Sequence, residues 1–445
     1  MQRESRFTLA GYPDLTGCLA DVADWFMQTA IRPRREAAYV VALSFGSVVC
    51  GRFYAFERSF SSNYICVIAE TGSGKQDIYR AVNTLVEKMR CPGLLLNANS
   101  FTSDAGCHAA IATQPQAICL IDEFGSILQA MNASAISQTA LTTLTRAFTS
   151  ADSTLTPKSY SDKDTESPKH QLIVRPALTL LGFGNPDDIA GNLTQEAFTS
   201  GQLSRYLFFK MGNEPVYMNT ATRDPPEKVI TELRRVILNV QQLGDECVFQ
   251  PYNTHIPPTI CTLEGGDINT KDLDYRQQEE VFSAKDEIKK ALLSRRLEKG
   301  KRLAIVLSLL GTYGADLESP IITQKSLVDA LSIVLKSDEL ILSVLDGMRT
   351  YGARIYKAAE EVKAYLDIQF ESGFEKVSSA DAARACTTYY KKCNSQARQQ
   401  VFALLDDEGI ATIQDGKGKN APFYFKENRA AGCIERDARI AGGIF

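Results

Sequence analysis

Histidine is scarce, three in 445 residues, and the 11 cysteines are scattered with no C-x-x-C pair among them. A zinc site needs clustered imidazoles and thiolates, so that chemistry is not expected here. A disulfide framework is equally out of place in a chain this long, and reduced thiols are the expectation. The chain shows no secretory leader and no apolar run long enough to span a bilayer. The expected location is therefore the cytoplasm. A strong excess of one charge is lacking too: 49 Lys and Arg stand against 53 Asp and Glu, a net charge of −4. That balance argues against a wholly basic nucleic-acid coat, although it leaves room for a local basic channel.

The composition that remains is that of an ordinary water-soluble protein, 44% hydrophobic and 23% charged. The length is ample for one large core with smaller modules, and two or three domains are expected. The informative stretch runs from Ile65 to Arg90. Ile65-Cys66-Val67-Ile68 is an apolar run that reads as a buried parallel strand. A tight turn follows, Ala69-Glu70-Thr71-Gly72-Ser73-Gly74-Lys75-Gln76. Beyond it, Ile78, Val82, Leu85, Val86 and Met89 fall on one helical face. Strand, glycine loop and helix together make a cradle for phosphate: backbone N–H groups and the positive helix end face the anion, and a lysine reaches its outer oxygens. The usual signature is G-x-x-x-x-G-K-[ST]. Ala69 replaces its first glycine, and Gln76 replaces the hydroxyl residue that helps to hold magnesium. Taken alone, the loop is open to two readings, a nucleotide site or an ordinary turn with a helix cap.

A second element weighs on that choice. Ala117 to Ile121 is an apolar strand ending in Asp122-Glu123. At the carboxyl end of a core strand, the aspartate can hold a magnesium shell while the glutamate polarises a water for attack on a γ-phosphate. A strand-end Asp-Glu is common by itself, but after a glycine–lysine loop it is the expected other half of an ATPase site. Further on, Leu178 to Gly184 reads as a core strand ending at Asn185, and Arg205 precedes the apolar run Tyr206 to Phe209. Asn185 also fits a plain strand-end turn, and Arg205 a surface ion pair.

The run Cys119 to Phe124, the pair Asn185-Pro186 and Leu203-Ser204-Arg205-Tyr206 resemble the AAA+ module of minichromosome-maintenance helicases. The chain as a whole, over roughly residues 10–345, resembles replication ATPases of phages and mobile elements, the primase- or polymerase-associated helicase domains. That resemblance implies an α/β fold: a P-loop AAA+ core with a parallel sheet, a helical N-terminal lead-in and lid, and a C-terminal winged helix. It implies ATP and Mg2+ as cofactors, with Thr71, Gly72, Ser73, Gly74, Lys75 and Gln76 around the phosphates and Asp122 at the metal. It further implies Glu123 as the activator of water, Asn185 as its sensor, Arg205 as a finger into a neighbouring subunit, and Arg295 as a second sensor. Arg295 sits in a basic helical stretch that also reads as a solvated face. The implied partners are DNA, further copies of the chain in a hexamer, and a separate primase or polymerase.

The expected boundaries are a lead-in over 1–60, an ATPase core over 61–215, a connecting segment and helical lid over 216–370, and a winged helix with its tail over 371–445. Residues 1–20 read as an extended arm, and two packing helices follow up to Phe53. Ser126 to Phe148 reads as helix. The polar segment Thr149 to Gln171 reads as a hairpin lining a DNA channel, with Lys158, Lys163 and Lys169 as contacts, or else as a solvated loop. Strands are expected near 247–250 and 259–263, and long helices over Ala284–Leu310, Gln324–Leu345 and Met348–Phe370. Ser378-Ser379-Ala380-Asp381 is a capping box. Asn394 is expected to cap the next helix, and a hairpin over Ile410 to Phe425 carries Lys417 and Lys419 at its tip. Lys391, Lys392, Gln396 and Gln399 join those two lysines as plausible DNA contacts; the same module also serves as a protein-docking wing. Two functions follow: an ATP-driven ring helicase or translocase on DNA in phage or mobile-element replication, or a nucleotide-gated scaffold, similar to a helicase loader, with weak turnover. Arg205 favours the first and Gln76 the second.

Overall fold

The computed structural model describes residues 5–70, 72–97, 103–133, 135–158, 166–186, 188–189, 193–212, 216–238, 257–372, 376–393, 395–407, 410–413 and 422–425. The chain divides into two compact units, Met1–Ser343 and Val344–Phe445.

The first unit opens with a packed hairpin where an extended arm is expected. Strands β1 (Arg6–Phe7) and β2 (Leu15–Thr16) pair antiparallel, with Phe7 and Leu15 buried. The polar character of this stretch hides three apolar residues, Phe7, Leu9 and Leu15, that leave water together. Helices α1 (Gly17–Thr29) and α2 (Arg35–Cys50) follow as the expected pair. Every residue of α2 from Ala37 to Cys50 is buried, the mark of a helix enclosed on all sides. It is therefore a central element of the core and more than a lead-in.

After the short strands β3 (Tyr54–Phe56) and β4 (Ser59–Phe60) come β5 (Tyr64–Ile68), α3 (Lys75–Lys88), β6 (Leu95–Asn97), α4 (Asp104–Thr113) and β7 (Gln116–Ile121). Next are α5 (Phe124–Ala133) and α6 (Ala135–Thr149), two helices where one is expected. Strands β8 (Thr154–Leu155) and β9 (Ile173–Val174) pair antiparallel, so the polar segment does close as a hairpin at its base. Strands β10 (Ala177–Gly184) and β11 (Tyr206–Lys210) complete a five-stranded sheet in the order β11-β5-β10-β7-β6, parallel throughout. Strands β5, β7 and β10 are buried along their whole length. Helices cover both faces of such a sheet, which is why its strands read as unbroken apolar runs.

Beyond the core, strand β12 (Thr259–Leu263) forms where expected, pairing in parallel with β3 and with β13 (Ile321–Ile322). The expected strand near 247–250 lies outside the described residues. The Glu287–Leu310 helix starts at Asp286, whose side chain accepts the Lys289 N–H, and packs against α2. Gln324–Glu371 is one helix of 48 residues, a correction to the two helices expected there. Gly347 does not interrupt it: a single interior glycine lowers helix stability by only about 1 kcal/mol. The boundary between the two units falls within this helix.

The second unit has its own core, built from Ile355, Val362, Leu366, Val377, Tyr390, Val401 and Leu405, among others. The Ser379–Ala385 helix is capped by Ser378, whose hydroxyl accepts the Asp381 N–H at 3.0 Å. The Ser395–Asp407 helix follows, and Asn394, its expected cap, lies outside the described residues. Strands β14 (Lys376–Ser378), β15 (Ala411–Ile413) and β16 (Pro422–Phe425) form an antiparallel sheet in the order β14-β16-β15. Sequence patterning anticipates the hairpin of β15 and β16 but misses β14.

Candidate nucleotide site

The loop between β5 and α3 ends at Gly74, whose φ of 93° is a left-handed conformation that glycine adopts without strain. A Cβ there would also lie 3.0 Å from the Cβ of Arg32. The loop is held from outside by residues that sequence patterning did not single out. Arg34 Nε donates to the Ser73 carbonyl at 2.9 Å, and the Arg32 N–H donates to Asp77 Oδ2 at 2.8 Å. The clue in the chain is the run Arg32-Pro33-Arg34-Arg35, which otherwise reads only as a helix break.

Within the loop, Ser73 is buried and its hydroxyl has no hydrogen-bond partner. Lys75, half-buried at the first position of α3, forms no ion pair or hydrogen bond among the described residues. Gly72 has a φ of 79°, and Gln76 is exposed. Thr71 lies outside the described residues. A buried hydroxyl and an unengaged ammonium at a helix N-terminus suit an anion, and together they fit the phosphates of a nucleotide.

The sheet order decides what faces this loop. Strand β10 lies between β5 and β7, with Gly184 opposite Ile68 and Gly182 opposite Ile121. Continuing the register by two residues brings Asp122 and Glu123 level with Phe183 and Gly184. Asn185 thus leaves the sheet between the loop and the two acids. With strands about 4.8 Å apart, the loop and the acids are separated by about 10 Å, enough for a phosphate group and an ion. Asn185 Oδ1 accepts the Asp188 N–H at 3.4 Å, and its carbonyl accepts from Ile189. The asparagine is therefore a turn residue, placed by the sheet order between the loop and the two acids.

Asp122 and Glu123 are exposed just beyond the end of β7. The Glu123 N–H donates to Asp122 Oδ1 at 3.1 Å, and Glu123 has a φ of 54°. A non-glycine residue in that region costs of order 1 kcal/mol and marks a constrained position. The bend turns Phe124 back onto β10, where a Cβ on Gly182 would come within 2.9 Å of the Phe124 ring. Tyr79, four residues along α3 from Lys75, packs its ring 5.2 Å from Phe183, and its buried hydroxyl has no partner. Burial, reinforced by the charge of Asp122, pushes the Tyr79 hydroxyl pKa upward, so it remains a proton donor.

The two arginines sit differently from each other. Arg205 is 6% exposed. Its guanidinium donates to the Gly201 carbonyl and to Thr149 Oγ1, and lies 6.0 Å from the Phe148 ring. Burial, aided by the charge of Arg295, lowers its pKa to about 10. In this conformation the guanidinium is engaged within the chain. Arg295, one-third exposed, pairs with Glu298 at 3.0 Å. Glu298 also takes Arg302 at 2.9 Å, and Arg302 lies 3.5 Å from Phe148. Burial resists ionisation of Glu298, but the charges of Arg302 and Arg295 outweigh it and hold the carboxyl below its usual range.

Of the candidate DNA contacts, Lys158 pairs with Asp104 at 3.2 Å, which offsets part of its charge. Lys169 is half-buried in a short 3-10 turn. Lys391, Lys392 and Gln399 are exposed. Nothing is described of the Gln396 side chain, and Lys163, Lys417 and Lys419 lie outside the described residues. A groove of about 560 Å3 runs along the outer side of α3, between Trp25, Arg80, Thr84 and the segment 218–224. Asp77 is one of its walls, but Gly72, Lys75 and Asp122 are not. The groove is thus separate from the glycine loop.

Among the described residues eight cysteines are free, seven of them buried. Among the described residues no group of acids, histidines and cysteines is arranged to hold a metal by itself, and no helix is long and apolar enough to cross a membrane.

No protein-family model matches this chain, and no curated protein matches it. Among solved structures it aligns with one described as Drosophila ORC bound to DNA, at 9% identity over 92% of this chain and 89% of that chain, with a TM-score of 0.24. A superposition this loose carries no argument, and the functional reading rests on the site.

Proposed function

We propose that the chain is an ATPase of the AAA+ type that acts on DNA, as a ring-forming helicase or translocase of phage or mobile-element replication. The observation that carries the reading is the strand order, with β10 between the loop strand β5 and the acid-bearing strand β7. That order leaves a gap bounded by Lys75, Asn185 and the Asp122-Glu123 pair, each supplied by a different strand end. In this reading the amides of residues 72–75 and the Lys75 ammonium bind the β- and γ-phosphates. Asp122 holds the shell of a magnesium ion, which when bound draws charge from the transferring phosphoryl group. Glu123 accepts a proton from the attacking water, and Asn185 orients that water. Gln76 cannot supply the usual hydroxyl, so the metal depends more on Asp122 and on solvent.

Three finer parts belong to the same proposal. The first is that copies assemble in a ring, with Arg205 acting in trans only after breaking its bonds to Gly201 and Thr149. The second is that the helices and three-stranded sheet of the second unit make a winged helix that contacts DNA. The third is that the β8–β9 hairpin lines the DNA path. The experiment is ATP turnover of the full chain with and without single-stranded DNA. A DNA-stimulated turnover supports the motor. Binding of ATP with negligible turnover in both conditions favours the nucleotide-gated scaffold, the reading suggested by Gln76.

A further inference from the structure

At the opposite end of the sheet from the phosphate loop, the chain buries two arginines beside each other. Arg175 precedes β10 and closes the base of the β8–β9 hairpin; it is 4% exposed. None of its three guanidinium nitrogens has a hydrogen-bond partner, and all three are shut off from solvent. Arg52 is 2% exposed, and its Nη2 donates to the carbonyl of Val174, the residue before Arg175. The Phe60 ring centroid lies 5.9 Å from the Arg175 guanidinium carbon. Phe60 belongs to a small apolar cluster with Ala55 and Ala151.

Among the described residues of this corner, nothing balances the charge of Arg175. The local acid, Asp152, is taken by Arg58 at 2.9 Å. The Phe60 face, at 5.9 Å, lies at the outer limit of a cation–aromatic contact and does not replace a counter-ion. An unpaired buried guanidinium costs several kcal/mol, and proteins keep buried charges paired. Loss of the proton is no remedy, since a guanidinium keeps its charge in proteins even where, as at Arg175, burial lowers its pKa. The backbone shows that the position is held deliberately. Arg175 has a φ of 47°, and its N–H is tied to the Ser153 carbonyl at 2.7 Å. That conformation aims the side chain inward at some cost in strain.

We propose that Arg175 holds a small inorganic anion of the halide class at the base of the β8–β9 hairpin, beside Arg52. The five N–H donors of a guanidinium in a fixed fork suit an anion that accepts several bonds at once. The site is closed to solvent, which selects a compact ion such as chloride over the phosphate of a nucleic acid. Its role is structural. The anion offsets the Arg175 charge and lets the hairpin close against the end of the sheet, far from the phosphate loop, independently of whether the chain is an ATPase.

The test uses the full chain. Thermal unfolding is followed at constant ionic strength while sodium chloride replaces sodium gluconate. The expected result is a melting temperature that rises with chloride and saturates, since a ligand bound only by the folded state stabilises it by mass action. In Arg175→Met, which keeps the bulk and removes the charge, the rise should disappear. Equal dependence on chloride in the parent and in Arg175→Met would overturn the proposal. Should that variant fail to fold, crystals of the parent soaked in sodium bromide answer the question directly. An anomalous peak within hydrogen-bonding distance of the Arg175 guanidinium supports the site, and no peak there overturns it.

Discussion

Replacing Arg205 by alanine separates two roles that place opposite demands on the side chain. As a finger, Arg205 matters to a neighbouring subunit's nucleotide and little to its own subunit's stability. As found, it donates to Gly201 and to Thr149 Oγ1 from a buried position above Phe148. Hydrogen bonds from a charged donor contribute about 1.5 kcal/mol or more each. The cation–aromatic contact at 6.0 Å adds about 0.5 kcal/mol. Arg205→Ala should therefore destabilise the first unit by about 3 kcal/mol. For a unit of this size each kcal/mol shifts the melting temperature by about 2 °C, so a fall of about 6 °C is expected. The assay is calorimetric melting of the parent and the variant without nucleotide. Mixtures with Glu123→Gln subunits then test for recovered turnover at interfaces joining two intact halves. An unchanged melting temperature, with turnover lost and recovered on mixing, would refute the internal role and establish the finger.

Three further outcomes are expected. Arg34→Ala removes the bond to the Ser73 carbonyl; with about 1.5–3 kcal/mol of loop ordering removed, ATP-analogue affinity should fall about 10- to 100-fold in a binding titration, with little change in fold by circular dichroism. Burial opposes ionisation of Glu361, but N–H groups of Tyr390, Thr388 and Tyr389 more than offset it, and its pKa lies below the ordinary 4.5. A depressed carboxyl pKa gives stability that is full above the unfolded value and is lost as pH falls through the folded value, so the second unit should weaken below about pH 4.5, and Glu361→Gln should flatten that loss in acid unfolding curves. Lys158→Ala combined with Lys169→Ala should shallow the dependence of DNA affinity on salt by about one unit for each phosphate that the missing ammonium groups would have neutralised; an unchanged slope would move the DNA contact to the second unit.

Much of the site was legible because its chemistry is local. Ile65 to Lys75 and Ala117 to Glu123 carry strand, loop and acids in short runs, and both strands fall where expected. The pairing of those runs was not legible. That β10 separates β5 from β7 depends on crossovers through α4, α5 and α6, which local periodicity does not encode. The surroundings of Arg205 were not legible either: Gly201, Thr149 and Phe148, which close around its guanidinium, carry no pattern in the chain that marks them as its neighbours. Arg34 was overlooked because its partner, the Ser73 carbonyl, is a backbone atom with no signature in the chain. The 48-residue helix shows the reverse error: two helices, Gln324–Leu345 and Met348–Phe370, were expected where one runs through without a break.

The claim that the gap between the loop and the two acids is an ATPase site is tested most directly by Glu123→Gln. The side chain is exposed and makes no contact among the described residues that the change would disturb. The measurement pairs equilibrium binding of ATP with steady-state release of phosphate, for the parent and for this one variant. The account predicts that Glu123→Gln binds ATP as tightly as the parent while turnover falls by at least ~10²-fold, since only the proton acceptor is removed. Hydrolysis at the parent rate would contradict it.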